Sequence, residues 1–491
     1  MTDSSPTVEA DPDKPRSPLA FIFRLIVIVP LTILVVIVAV PIVYRATRFR
    51  GIPPIEEIVD REVEGRFVVE DDRNAFTLYK SAVSMLPPLT NDLDTDEGRE
   101  AVRTGRGWAA IMPELRQYVE DSQGALAEWK LGTERDEAVY TEIATADFAA
   151  LIPVTQELRA FGRLAVLQAL RDLDEGKPDE AWQWLRALMR SSRHTGKHGF
   201  LIERFVGIAL HQLAAESIAA WASNDQVTLD DLQTALSELQ EIHRMTAPNS
   251  DSLKVEYIVS TNTISNARSL KDMLGYGGPG VPDPLKSAYL FVNGEPQLSL
   301  IVMRHVFANY LSQCDLPPYE RVKASTSLDL YLPTGKESPP LMDPGPLNAA
   351  VMRSVLARLV VPSVSNCVTA LDCEHARQDA LELSLMAEMF RRKHGEYPET
   401  LEALVPEFLS EVPRDWMGSV PAEKMLLIRV EPEPVELPEG GSEPVLNELP
   451  SAGGLIIYSR GRISGDGGGT IDDGSDVGIR IPISQAKGQV K

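Results

Sequence analysis

Residues 25–44 contain no charged side chain and read LIVIVPLTILVVIVAVPIVY. Twenty helical residues rise about 30 Å, the thickness of a bilayer hydrocarbon core, so the pattern predicts a transmembrane helix. Pro30 and Pro41 are tolerated in a span, and Arg24 on one side with Arg45, Arg48 and Arg50 on the other mark its two interfaces. A cleaved signal peptide has a shorter apolar region and a small-residue cleavage site, which Tyr-Arg-Ala-Thr-Arg does not offer, so an uncleaved anchor is expected. Ahead of the span, residues 1–18 show no apolar periodicity and predict a disordered cytoplasmic tail.

Behind the span the period changes to that of amphipathic helices. Residues 72–86 place Ala75, Leu78, Tyr79, Ala82 and Leu86 on one face, ending at Pro87-Pro88. Residues 162–173 and 178–191 predict a hairpin turning at Gly176-Lys177-Pro178, and 201–221 with 228–243 a second pair. Thr228 and Asp231 have capping-box spacing ahead of the Leu229, Leu232, Leu236, Leu239 and Ile242 stripe. The Gly176 to Ala181 spacing resembles tetratricopeptide repeats, but no period recurs, which favours an irregular helical bundle.

Residues 246–345 are broken by Gly and Pro, with one helix expected over 298–311. Pro362 is expected to interrupt the next helices before a long one over 364–394, capped by Gly395. Residues 425–430, 455–458 and 479–483 read as short strands. The predicted fold is mainly α, with a transmembrane helix (25–44), an irregular helical-hairpin bundle (52–345), long helices (346–395) and a small α+β module (396–491).

Charge sharpens this division. The chain of 491 residues carries a net −23, and removing residues 1–50 leaves −25 on the soluble body. Such a body is repelled by nucleic-acid phosphates and by anionic headgroups, so a nucleic-acid partner is excluded and the body is expected to stand off the bilayer. The basic residues Lys14, Arg16 and Arg24 before the span equal in number Arg45, Arg48 and Arg50 after it, so they leave orientation open.

Catalytic patterns are sparse. His194 and His198 stand at i, i+4 but lack an adjacent Glu, and Ser191 occupies the place of a phosphate-loop glycine before Gly196-Lys197. Cys373-Glu374-His375 are sequence neighbours that do not face each other on a helix, which favours a buried cysteine and a surface histidine. His211, in an alanine-rich helix, reads as packed or partly exposed. Cys367 and Cys373 on one helix lie about 9 Å apart, beyond the roughly 7 Å a disulfide bridges. No catalytic residue is assigned.

The run Met389-Phe390-Arg391-Arg392-Lys393-His394-Gly395-Glu396-Tyr397-Pro398, then Val412-Pro413-Arg414-Asp415 and Tyr458-Ser459-Arg460-Gly461 with Gly465-Asp466-Gly467-Gly468, resembles the globular end of type II secretion pseudopilins of the protein G kind. The same ending is similar to that of uncharacterised bacterial single-pass membrane proteins with a helical body, where an Asn-Ala-x-x-x-Tyr helix (here Asn74, Ala75, Tyr79) follows the anchor. Phe21-Ile22-Phe23-Arg24 stands where a pilin carries its Gly-Phe-x-x-x-Glu processing site, so assembly as a pilin is not expected. The resemblance implies an extracytoplasmic C-terminal module and a cytoplasmic N-terminus. It also implies a Ca²⁺ site at Asp466, Asp472, Asp473 and Asp476, for which tight solvated turns are the alternative. The function expected is that of a membrane-anchored, non-enzymatic interaction or structural protein with an unidentified protein partner. The alternatives are a component or assembly factor of a secretion or pilus-like machine, and an enzyme built from scattered carboxylates.

Overall fold

The computed structural model describes residues 22, 24–59, 69–88, 96–140, 142–148, 150, 152–266, 283–335, 340–418, 420–430, 454–460, 469–471 and 476–482. Among these, the apolar N-terminal run forms a π-helical turn, Arg24–Ile28, continuing into α1, Val29–Arg48, none of whose side chains is buried. Ile26–Arg48 is long and apolar enough to cross a membrane. The helix runs four residues beyond the predicted end, so Arg45 and Arg48 fall in its last turn, where cations complement the carbonyl end of the helix dipole.

The body opens with α2, Ala75–Met85. Asn74 caps it, its Oδ1 accepting from Phe76 N at 3.1 Å and Val139 N at 3.0 Å while Nδ2 donates to Val139 O at 2.8 Å. Three short helices follow: α3, Glu97–Thr104; α4, Pro113–Asp121; and α5, Gln123–Thr133. The first expected hairpin is α6, Pro153–Asp174, with α7, Pro178–His194; α6 starts earlier than predicted because Val154, Leu158 and Phe161 extend its buried stripe. The second is α8, Leu201–Ser223, with α9, Leu229–His243, and both arms of the Thr228–Asp231 capping box form. By length and composition α8 too could cross a membrane, but most of it is buried against α6, α7 and the last helix of the fold.

Residues 246–345 are more regular than their Gly and Pro content suggests, folding into α10, Asn249–Ser265; α11, Asp283–Val292; and α12, Gln297–Leu311. The Gly and Pro cluster at 275–282 lies outside the described residues. After α13, Pro344–Arg353, comes α14, Ala357–His394, which ends at Gly395 with φ +84°, a left-handed cap natural to glycine. Pro362 does not interrupt α14. It sits in the second turn, where its missing N–H costs one bond near an end.

Two apolar cores meet on α14, whose 38 residues extend about 57 Å. Val360, Val361, Val364 and Val368 belong to a core with α10, α12, α13 and the partly buried Phe49, Ile52 and Ile58. Ala380, Leu381, Leu385 and Ala387 belong to a core with α2 and α4 to α9. The former lies next to the end of α1 and is the proximal lobe; the latter is the distal lobe.

The three predicted strands form one antiparallel sheet in the order β1, Leu426–Val430; β2, Gly454–Ser459; β3, Val477–Pro482. Ile428 pairs Ile456, and Ile457 pairs Ile479. The central strand β2 is buried along its length, and the sheet lies on α8 and α14. Leu455, Ile457, Ile479 and Ile481 join the distal core, so the sheet completes the body's core.

Candidate functional site

Between its two apolar stretches α14 carries Asp372-Cys373-Glu374-His375-Ala376-Arg377-Gln378-Asp379, and this polar segment is enclosed by α7, α8, α9 and the chain after α12. Buried charge is tolerated only with a partner, and Asp372 and Glu374 have several, whereas burial, with Glu382 and Asp415 nearby, pushes the pKa of Asp379 up to about 7. Arg321 donates Nη1 to Asp372 Oδ2 and Nη2 to Oδ1, both at 2.6 Å. Trp416 Nε1 adds a bond to Oδ1 at 3.3 Å. Glu374 receives Arg193 Nη1 from α7 at 2.8 Å on Oε1 and Arg204 Nη2 from α8 on Oε2. Burial raises the pKa of Glu374, but Arg204 and Arg193 outweigh it and hold the carboxyl below its ordinary value, hence ionised.

The neighbouring imidazoles are neutral. Burial lowers the pKa of His211 well below its ordinary value, and its Nδ1 stands 3.8 Å from Glu374 Oε1, too far for a hydrogen bond. His243 Nδ1 lies 2.7 Å from Glu382 Oε1, yet burial still lowers its pKa. Gln378 Nε2 donates to Thr246 Oγ1 at 3.0 Å, and Arg193 Nη1 reaches the same hydroxyl at 3.1 Å. The arrangement is a clamp in which charge-assisted bonds from two hairpins hold one helix. It offers no nucleophile activated by a base, and among the described residues no three His, Cys, Asp or Glu side chains converge to hold a metal ion.

The residues singled out from sequence are scattered. Asp466, Asp472 and Asp473 lie outside the described residues. Asp476 is buried and closes a turn: its Oδ2 accepts Gly469 N at 2.7 Å and Thr470 N at 3.0 Å, and its own N–H donates to Thr470 O. Asp476→Ala is expected to destabilise the chain by about 1–3 kcal/mol, equally in EDTA and in Ca²⁺, as read by urea unfolding. His194 is buried and bonded through Nδ1 to the Tyr79 hydroxyl at 2.8 Å, while His198 faces Glu137, so the pair does not converge. Cys314, Cys367 and Cys373 are buried free thiols, the last two on the single helix α14. His375 is half-buried: it stacks on Trp416 with centroids 4.4 Å apart, and burial pushes its pKa down to about 4.

A cavity of about 290 Å³ opens between α6 and α8, lined by Asp96, Arg99, Arg159, Arg163, Leu210 and Gln212. Its arginines are largely committed, Arg99 to Glu216 at 2.8 Å and Arg163 to Asp96 at 2.7 Å.

The best-organised junction lies at the end of the apolar helix. Arg45 donates Nη1 to Phe291 O and Nη2 to Gln297 Oε1 at 2.9 Å, and its guanidinium covers the Phe291 ring at 4.7 Å. Arg48 Nη2 donates to Arg353 O, and Arg353 Nη1 donates back to Arg50 O at 2.9 Å. His305 Nε2 donates to Pro53 O at 2.9 Å, and Glu57 pairs Arg304 at 3.0 Å. Phe49 packs so closely on Gly294 that a Cβ there would meet the ring at 3.0 Å, which accounts for glycine at this position. The apolar helix thus enters the proximal lobe through a bonded joint.

The chain matches no protein-family model, no curated protein and no solved structure.

Proposed function

We propose that the chain is a single-pass membrane protein whose body stands outside the cytoplasm and acts through contacts with other proteins, without a reaction of its own. The observation that carries this reading is the joint at Arg45, Arg48 and Arg353, which couples a bilayer-length apolar helix to a large helical body. A flexible tether needs no such bonds, whereas a body held at a fixed pose to its anchor presents its far surface in a defined direction. The clamp at Glu374 supports the same reading, since it stiffens the helix that links the two lobes instead of arming a nucleophile. The extracytoplasmic side rests on the pseudopilin-like ending.

External protease added to intact spheroplasts is expected to degrade the body while the chain remains in carbonate-washed membranes; full protection would reverse the orientation. Affinity purification of the detergent-solubilised full chain is expected to recover a specific protein partner, and recovery of none would remove the interaction reading. Recovery of secretion-machine components would favour the machine reading instead.

A further inference from the structure

In a soluble helix the uncharged face is turned inward, but in α11 it is turned outward. Leu285 is 62% exposed, Tyr289 55% and Phe291 52%, with Pro284, Ser287 and Ala288 also exposed beside them. The half-buried side is Lys286, Leu290 and Val292. An exposed apolar face of this kind marks a contact surface. Its position identifies what it contacts. Arg45, the first residue beyond the charge-free stretch, is bonded to the Phe291 carbonyl and covers its ring, which puts Phe291 level with the end of the hydrocarbon-length segment. Met352 on α13, 45% exposed, follows the same edge beside Arg353, whose carbonyl holds Arg48. Arg50 and Arg353 meet at this edge, and α11 itself carries Lys286, although the body as a whole is strongly acidic.

We propose that α11 is an interfacial helix that inserts Leu285, Tyr289 and Phe291 into the headgroup and upper acyl region of the bilayer, next to the exit of α1. Aromatic residues with a rim of Lys and Arg are the side chains favoured at that depth, and an amphipathic helix lying there buries its apolar face by about 5–10 Å. The body therefore touches the membrane at one edge, while its acidic remainder is repelled from it, and α1 with α11 fixes its tilt. This inference rests on α1 crossing the membrane.

The test uses the full chain carrying single cysteines at Tyr289→Cys, Leu285→Cys, Leu34→Cys or Leu131→Cys, each labelled with bimane. Every site is exposed, so labelling leaves the cores intact, and the three native thiols are buried and poorly reactive. The proteins are reconstituted in phosphatidylcholine and phosphatidylglycerol vesicles, with acyl chains brominated both near the headgroup and near the chain ends, or unbrominated. Loss of most of the fluorescence at 289 and 285, as at 34 within the span, with none at 131 on the distal lobe, is the expected result. Quenching at 34 with 289 and 285 as bright as 131 would overturn the interfacial helix and leave the span intact. No quenching at 34 would overturn both. Shielding of 289 that requires two chains in one micelle, without lipid quenching, would assign the face to a second copy and overturn the proposal.

Discussion

Glu374→Ala is expected to cost the body about 3–5 kcal/mol, the loss typical when one partner is removed from a buried ion pair. Arg193 and Arg204 would be left buried with no anion, Arg193 keeping the Thr246 hydroxyl, since Glu374 is the carboxylate to which both donate. Neither guanidinium can escape by giving up its proton cheaply, and neither has a route to water without parting α7 or α8 from α14. Urea unfolding of the full chain in detergent, followed by tryptophan fluorescence, measures the effect. Glu216→Ala serves as the comparison, because its pair with Arg99 is half exposed and worth at most about 1 kcal/mol. Glu374→Gln keeps an acceptor but not the charge and should fall between the two. A loss at Glu374→Ala no larger than at Glu216→Ala would show that the clamp does not hold the lobes. Replacing Arg193, Arg204 and Glu374 together by apolar residues of similar volume should recover much of the loss, since desolvation of the charges would vanish with the charges.

What could be read in advance divides by the range of the interaction that decides it. The apolar anchor, both hairpins, the Thr228 capping box, the Gly395 cap and the three strands are encoded in side chains within a few residues of one another, and each formed close to where the pattern placed it, except that α6 begins at Pro153 and not at Gly162. α10 was missed because it has no polar face: Leu253, Val255, Tyr257, Ile258 and Val259 are all buried, so the amphipathic period is absent from a helix surrounded by protein. The opposite error concerned Pro362, where a local rule about helix breakers overstated a loss that the start of a helix tolerates.

The clamp was invisible for a different reason. Cys373, Glu374 and His375 are sequence neighbours, but the arginines that pair Glu374 come from 181 and 170 residues away. A usable signal existed nonetheless. Glu203, Arg204 and His211 fall on the buried side of α8, and charges on the inward side of a core helix require partners. Likewise, outward-facing Leu285, Tyr289 and Phe291 look in sequence like an ordinary short apolar stripe; only the docking of Arg45 on Phe291 shows which environment that stripe meets.

Glu256→Gln is expected to make the protein more stable than the parent at pH 8 but not at pH 5. Glu256, on α10, is 7% exposed and accepts one long bond from Leu201 N at 3.4 Å. Burial is the main cause that pushes its pKa up to about 7 from 4.5. Between those two values the folded chain keeps a proton that the unfolded chain has lost. The stabilisation is therefore complete below about pH 4.5 and declines as pH rises toward 7, and the shift corresponds to about 3 kcal/mol. Glutamine has no proton to lose, so the stability difference, variant minus parent, should grow by about 3 kcal/mol from pH 5 to pH 8. His194, His211 and His243 act with the opposite sign: their folded pKa values are depressed, so they remove stability as pH falls below about 6.5. They are present in both proteins and cancel in the difference. Urea midpoints measured at half-unit steps across this range decide the matter, and a difference that stays flat from pH 5 to pH 8 would mean that Glu256 is ionised inside the folded protein. The rising difference would instead establish a neutral carboxyl in the proximal lobe, where Glu256 on α10 meets the start of α8.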